Sequence, residues 1–296
     1  MQQVLNATVL WSIYVLFALG LSLAWGSLKL LNLAHGAIFM FSGFAACMIS
    51  QRLTLPFPVL VVVAMVIGGV LNVLLNWLLF HPIKRQSKDE GDTELLMLIG
   101  SIGAASILVT VAQLATEDSP FGIAAGSALN GTTFHLGWLT ITTAQILIVA
   151  SGIVLSAVIG VWIRRSQSGR ALRAIAFDEE TSQLMGIRPG RLATGTMFAA
   201  GALAGLASML LVSHVGSLTP ESGDSLLLKA FAIIILGGVG SVAGAVVGAA
   251  VLAIGESLVL TFTSGEWVDA ASFVIIMVFI LIRPQGIFAN VRTDRV

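Results

Sequence analysis

Gly169-Arg170-Ala171-Leu172-Arg173-Ala174-Ile175-Ala176, running on to Leu184-Met185-Gly186-Ile187, is the one long charge-dense segment in a chain of otherwise almost continuous apolar runs. An Arg-rich amphipathic stretch between hydrophobic spans is a cytoplasmic feature, because Lys and Arg are retained on that side of the membrane. Its setting decides the fold class: the apolar runs on either side of it must cross a bilayer.

Composition agrees. The chain is 57% hydrophobic and 10% charged, where soluble domains carry about 25% charged residues, and its mean hydropathy is +0.98. A soluble globule of this size cannot hide so much apolar surface. The expected architecture is all-α, a polytopic membrane helix bundle. The net charge of zero removes any case for nucleic-acid binding. The single cysteine, Cys47, cannot form an internal disulfide and lies in an apolar run, as a buried inert thiol does. The N-terminus lacks the basic region of a cleaved signal peptide, so the first apolar segment is expected to be retained as a helix.

A span needs about 20 apolar residues. Candidate segments are 4–25, 28–50, 57–80, 94–115, 139–163, 193–212, 225–236, 242–262 and 268–282. The seventh is short and runs into Gly237-Gly238-Val239-Gly240-Ser241. It reads as a full crossing, a half-helix or one arm of a re-entrant hairpin, which gives about eight to nine transmembrane segments in a single domain over 1–296.

Loop charge sets orientation. Lys84, Arg85 and Lys88 lie in one loop, and Arg164, Arg165, Arg170, Arg173, Arg188 and Arg191 in a second, at about 164–192. Arg283, Arg292 and Arg295 lie in the tail, and these three regions hold 12 of the 15 basic residues. The loops at 116–138, 214–224 and 263–267 hold Glu117, Asp118, Glu221 and Glu266 and no Lys or Arg. The two sets alternate with the spans, so the C-terminus is expected in the cytoplasm. Nine crossings put the N-terminus outside, with Arg52 as an exception on that side.

Glycine, at 31 residues, is spaced for helix contact. Gly201-Ala-Leu-Ala-Gly205 and Gly240-Ser-Val-Ala-Gly244-Ala-Val-Val-Gly248 place small residues four apart, which lets helices approach closely in lipid. They serve either packing within one subunit or a seam between subunits.

Residues that carry chemistry are few. The sequence has no GxxxxGK[ST], so the chain itself holds no ATP through a P-loop, and no HExxH, CxxC or GxSxG. His35, His81, His135 and His214 are scattered without metal or catalytic spacing. No catalytic residue, metal ligand or cofactor contact is expected, and the chain is read as not an enzyme. Asn32 and His35, three apart, are read as sharing one helix face, where polar groups are costly unless they face protein or a water-filled path. They either line a translocation path or hydrogen-bond between helices, and Gly36 lets a neighbouring backbone approach. Lys229 and Glu256 are the other ionisable residues embedded in apolar runs; they either pair with each other across the hairpin or sit near interfaces, and a structural role is expected of them.

The segment after the fifth span reads as a short amphipathic helix. Ala171, Leu172, Ile175 and Ala176 recur at helical spacing, flanked by Arg170 and Arg173. Asp178, Glu179 and Glu180 open a second turn that carries Leu184 and Met185 and ends at Gly186, with Pro189 blocking continuation. Its mixed charge argues against a plain headgroup-binding helix, which favours a uniformly basic face.

Four motifs, Leu31–Gly36, Gly169–Ile187, Leu236-Gly237-Gly238-Val239-Gly240-Ser241 and Arg283-Pro284-Gln285-Gly286-Ile287-Phe288, resemble in order the signatures of the LivH-type permease of branched-chain amino-acid ABC transporters. The resemblance covers nearly the whole chain. It implies an importer of branched-chain or other hydrophobic amino acids in the bacterial inner membrane. Such an importer comprises a second permease subunit, two ATPase subunits that use ATP, and a periplasmic substrate-binding protein. It further implies that the segment from Gly169 to Gly186 is the coupling helix docking on an ATPase, with Gly169, Arg170, Arg173, Ala176, Asp178, Glu179, Leu184, Met185 and Gly186 as its contact set. The departures are Ala37, where relatives often carry an acidic residue, and the stretch 47–51. They leave substrate open, since importers of urea and short-chain amides use permeases of this type. Two readings from other classes are a self-sufficient secondary transporter, which requires intramembrane carboxylates such as Glu256, and a passive channel for small solutes.

Overall fold

The computed structural model describes residues 2–28, 31–86, 89–127, 133–136, 139–238, 240–263, 267–282 and 286–287. In chain order the helices are α1 (Gln2–Leu28), α2 (Ala34–Arg52), α3 (Phe57–Leu75), which runs through a π-helical turn at Asn76–Phe80 into α4 (His81–Gln86), and α5 (Glu90–Thr116). After these come α6 (Thr143–Arg165), α7 (Gln167–Phe177), α8 (Glu179–Leu184), α9 (Pro189–Val215), α10 (Ser222–Gly237), α11 (Val242–Phe262) and α12 (Val268–Ile282). Two small antiparallel ribbons complete the described residues. β1 (Phe121–Gly122) pairs with β4 (Ser217–Leu218), and β2 (Thr133–Leu136) forms a hairpin with β3 (Leu139–Thr142).

Among the described residues, seven helices are long and apolar enough to cross a membrane, and every segment expected from sequence holds a helix. Local chemistry moves two starts. The second helix begins at Ala34 rather than 28, because the Asn32 side chain accepts the Ala34 N–H and opens the helix there. The fifth span begins at Thr143, after β3, where Thr142 and Gln145 form a capping box. The two shorter helices, α10 and α12, have 16 and 15 residues, so they reach only about 24 and 22 Å at 1.5 Å per residue, short of the roughly 30 Å hydrocarbon core.

The described loops fix which ends lie together. Gln2 at the start of α1 bonds the backbone of Thr140 in β3, and the Ser257 hydroxyl near the end of α11 bonds the Gln3 carbonyl. Gln113 near the end of α5 donates to Glu221, just before α10, at 2.8 Å. This end carries Glu117, Asp118, Glu221, Asp224 and Asp269. At the opposite end Lys84 meets Glu179 at 2.7 Å, joining α4 to α8, near Arg85, Arg164 and Arg165. The start of α1 therefore belongs to the acidic end, together with Arg52, as nine crossings require. The expectations for Lys88, Glu266, Arg283, Arg292 and Arg295 lie outside the described residues.

α1, α2 and α9 form the buried centre, and α9 crosses α3 at glycine. A Cβ on Gly201 would overlap the Gly68 carbonyl, and one on Gly205 the Ala64 carbonyl. Gly244 and Gly248 face Gly237 and Ile233 of α10 in the same manner. Both glycine motifs thus serve contacts within the chain, where dispersion between close backbones replaces the hydrophobic effect. Gly240 is the exception: it sits at φ +78° in the turn between α10 and α11.

Lys229 and Glu256, the pair embedded in apolar runs, meet in the fold. Glu256, 1% exposed, accepts from Lys229 at 2.9 Å, from the Tyr14 hydroxyl and from the Ser272 hydroxyl. Lys229 also meets Asp269 at 3.0 Å. One cluster thus ties α1, α10, α11 and α12, and it satisfies a charge that would otherwise be prohibitive in this setting.

Candidate functional site

The segment 166–187 builds upward from its caps. Ser166 accepts the Gly169 N–H to start α7, and Asp178 accepts the Thr181 N–H to start α8. Gly186 takes φ +85° after α8, a backbone region that suits glycine, and the Ile187 N–H reaches back to the Ser182 carbonyl. The result is two short helices joined by a bend at Asp178, in place of one continuous helix. Asp178 is extended, and its side chain turns the chain at that point.

The residues expected to contact an ATPase divide into two groups. Gly169 lies against the end of α6, where a Cβ would overlap the carbonyls of Trp162 and Ile163. Arg170 donates to the Arg165 carbonyl at 2.9 Å and Arg173 to the Ile163 carbonyl at 2.7 Å. These two arginines therefore satisfy carbonyls left open at the C-terminal end of α6 and anchor α7 to it. Ala176 lines a small cavity of about 80 Å3 with Leu172, Arg173 and Gly240. Glu179 is held by Lys84. Leu184 and Met185 project from the bundle, 87% and 80% exposed. The proximal half of the segment is an anchor, and the distal half is an apolar tip that nothing in the described chain covers.

Two further motifs meet nearby. The Ile287 N–H donates to the Leu236 carbonyl at 2.8 Å, so the chain beyond α12 folds back onto the end of α10. Gly240, in the turn after α10, faces α7 across the small cavity. Three stretches far apart in sequence thus converge at the basic end of the bundle. Val239, 283–285 and Phe288 from these motifs lie outside the described residues.

The first motif sits deeper. Asn32 precedes α2, so it does not share a helix face with His35 as its spacing suggests. It donates to Asn72 Oδ1 at 3.2 Å, and Asn72 donates to the Met197 carbonyl at 2.8 Å, a polar chain across α3 and α9. His35 is fully buried and stacks on Phe17 with ring centroids 4.8 Å apart. The backbone of Phe17 is its polar neighbour, but neither ring nitrogen makes a hydrogen bond. Gly36 lies against Gly223 of α10, and a Cβ on either would overlap the other's carbonyl.

Asn72 is not singled out in the sequence, and Lys84 is read there only as a loop charge that sets orientation, without its partner Glu179. Asn72 is a polar residue four before Asn76 in the third span, and the rule that singled out Asn32 applies to it equally. Lys84 carries no local signal, because its partner is 95 residues away.

The profile of the family described as "Branched-chain amino acid transport system / permease component" matches residues 3–282. The chain is 30% identical to the high-affinity branched-chain amino acid transport system permease protein LivH of Escherichia coli (strain K12), over 100% of this chain and 97% of that protein. It is 27% identical to BraD of Pseudomonas aeruginosa, over 100% and 98%. It is also 24% identical to LivM of Salmonella typhimurium, over 95% of this chain and 68% of that one. In fold it is similar to a chain of PsaBC from Streptococcus pneumoniae, solved with a Fab, at TM-score 0.51 and 15% identity over 96% and 93% of the two chains. This chain is a multi-pass membrane protein and belongs to the family of branched-chain amino acid transport permeases.

Proposed function

We propose that this chain is one of two permease subunits of an ABC importer that carries branched-chain or other hydrophobic amino acids across the bacterial inner membrane. Its likeness to both LivH and LivM supports pairing with a second, related permease. Two ATPase subunits hydrolyse ATP, and a periplasmic binding protein delivers the substrate. The basic end, with the C-terminus, faces the cytoplasm, in line with the charge partition.

The observation that carries this reading is the exposed apolar tip at Leu184 and Met185, held on an anchored arm between two spans. Apolar side chains so placed suit a protein cleft. Closure of the ATPase pair would pull the tip. The pull would reach α6 through Arg170 and Arg173, and the third span through Glu179 and Lys84. The bundle would then move between two openings biased by nucleotide.

The test is Gly186→Val. A β-branched residue at φ +85° is strained, so the tip should be misplaced while the anchored half remains. Expected are normal membrane insertion, weakened ATPase co-purification and lost ATP-dependent uptake. Undiminished co-purification and uptake would refute the docking role.

A further inference from the structure

The lipid-compatible faces of this bundle are aliphatic. Val59, Val62, Val66, Val70 and Leu74 line the outside of α3, and Ile153, Val154, Val158 and Val161 that of α6. Acyl chains demand this, because a polar group facing them has no partner.

The surface formed by α5, α10 and α12 breaks the pattern. Two clefts flank α10, one of about 450 Å3 against α5 and one of about 250 Å3 against α12. Asp224 lines both. Ser106 and Thr110 of α5 are exposed in the larger cleft. Lys229, just over a turn along α10, lines the smaller cleft together with Asp224 and is engaged there by Glu256 and Asp269. Among the described residues, Asp224, Glu256 and Asp269 set three carboxylates against this one ammonium. Gln113 and Glu221 join α5 to α10 one turn above Asp224, toward the acidic end. Leu33, Leu227 and Leu228 supply an aliphatic wall.

We infer that the cleft between α5 and α10 receives an amino-acid substrate, its α-ammonium at Asp224 and its aliphatic side chain against the three leucines. This deepens the proposed function and rests on it. The volume falls within the roughly 300–1,000 Å3 of small-molecule sites. An ammonium–carboxylate contact is charge-assisted and therefore selective for an amine-bearing solute. A purely structural role for Asp224, an acid in the first turn that favours a helix N-terminus, predicts an effect on stability alone.

The test uses the whole transporter, with partner permease, ATPases and binding protein, in proteoliposomes. Asp224→Asn should lower uptake of radiolabelled leucine about tenfold or more, the worth of one charge-assisted contact. Assembly and melting temperature should hold, and Asp224→Glu should retain more uptake than Asp224→Asn. In a Cys47→Ala background, Thr110→Cys should react faster with a cationic than with an anionic methanethiosulfonate. Adding Asp224→Asn should erase that preference. Three results would overturn the inference while sparing the amino-acid reading. They are full uptake by Asp224→Asn, failed assembly of that variant (a contact with the partner's basic side chain), or a Thr110→Cys thiol that reacts with neither reagent because lipid or the partner covers it. Absence of leucine uptake by the unaltered complex would instead overturn the amino-acid reading itself.

Discussion

Lys229→Met removes the ammonium from the cluster around Glu256 while keeping an unbranched stem of similar reach. Glu256, 1% exposed, would keep the hydroxyls of Tyr14 and Ser272 but lose the ammonium at 2.9 Å. Asp269 loses its partner as well, at less cost, because its side chain is 64% exposed. Removing one member of a buried ion pair costs about 3–5 kcal/mol. Lys229 is 15% exposed rather than fully buried, so the lower limit, about 3 kcal/mol, is the expected loss. At roughly 2–4 °C per kcal/mol, the melting temperature should fall by about 6–12 °C. The assay is thermal unfolding of the purified, detergent-solubilised chain, followed by intrinsic tryptophan fluorescence. The double variant Lys229→Met/Glu256→Gln should recover at least half of the loss, because the amide is neutral: its oxygen accepts from one of the two hydroxyls and its NH2 donates to the oxygen of the other. A single variant that melts with the unaltered protein, or a double variant whose losses merely add, would refute the view of Glu256 as a charge held down by Lys229. ATP-driven uptake restored in the double variant would also remove Glu256 as an ion-coupling group.

Gly201→Ala should destabilise by about 1–3 kcal/mol, because its Cβ meets the Gly68 carbonyl and Asn72 Cβ; an unchanged melting curve would refute so close a crossing of α3 and α9. In a Cys47→Ala background, Ser119→Cys should react with an impermeant thiol reagent from outside the cell and Ser168→Cys should not, both side chains being exposed; the reverse pattern would invert the topology. His35→Leu removes no hydrogen bond, so stability should stay within about 1 kcal/mol of the unaltered protein. A larger fall in melting temperature would show that the ring nitrogens have partners, and lost uptake at unchanged stability would assign His35 to the path.

Hydropathy was enough to locate the seven spanning helices of the described residues, because a bilayer imposes a length and a polarity on each crossing that any chain must write into its local sequence. The caps at Ser166 and Asp178, the turn at Gly186 and the pairing of Lys229 with Glu256 arise from equally local or equally forced chemistry. Tertiary structure decided the rest. Asn32 stands at a helix start, because its side chain closes on Ala34 N–H and its amide meets Asn72, neither of which a spacing of three can reveal. Arg170 and Arg173, which the resemblance implies for an ATPase contact, also bond back to α6, because the open carbonyls ending α6 lie within reach only once α7 folds back. The meeting of Leu236 with Ile287, of Lys84 with Glu179 and of Asp224 with α5 joins residues dozens to more than a hundred positions apart. Helix packing brings such groups together through shape, and shape leaves no periodic trace in a single sequence.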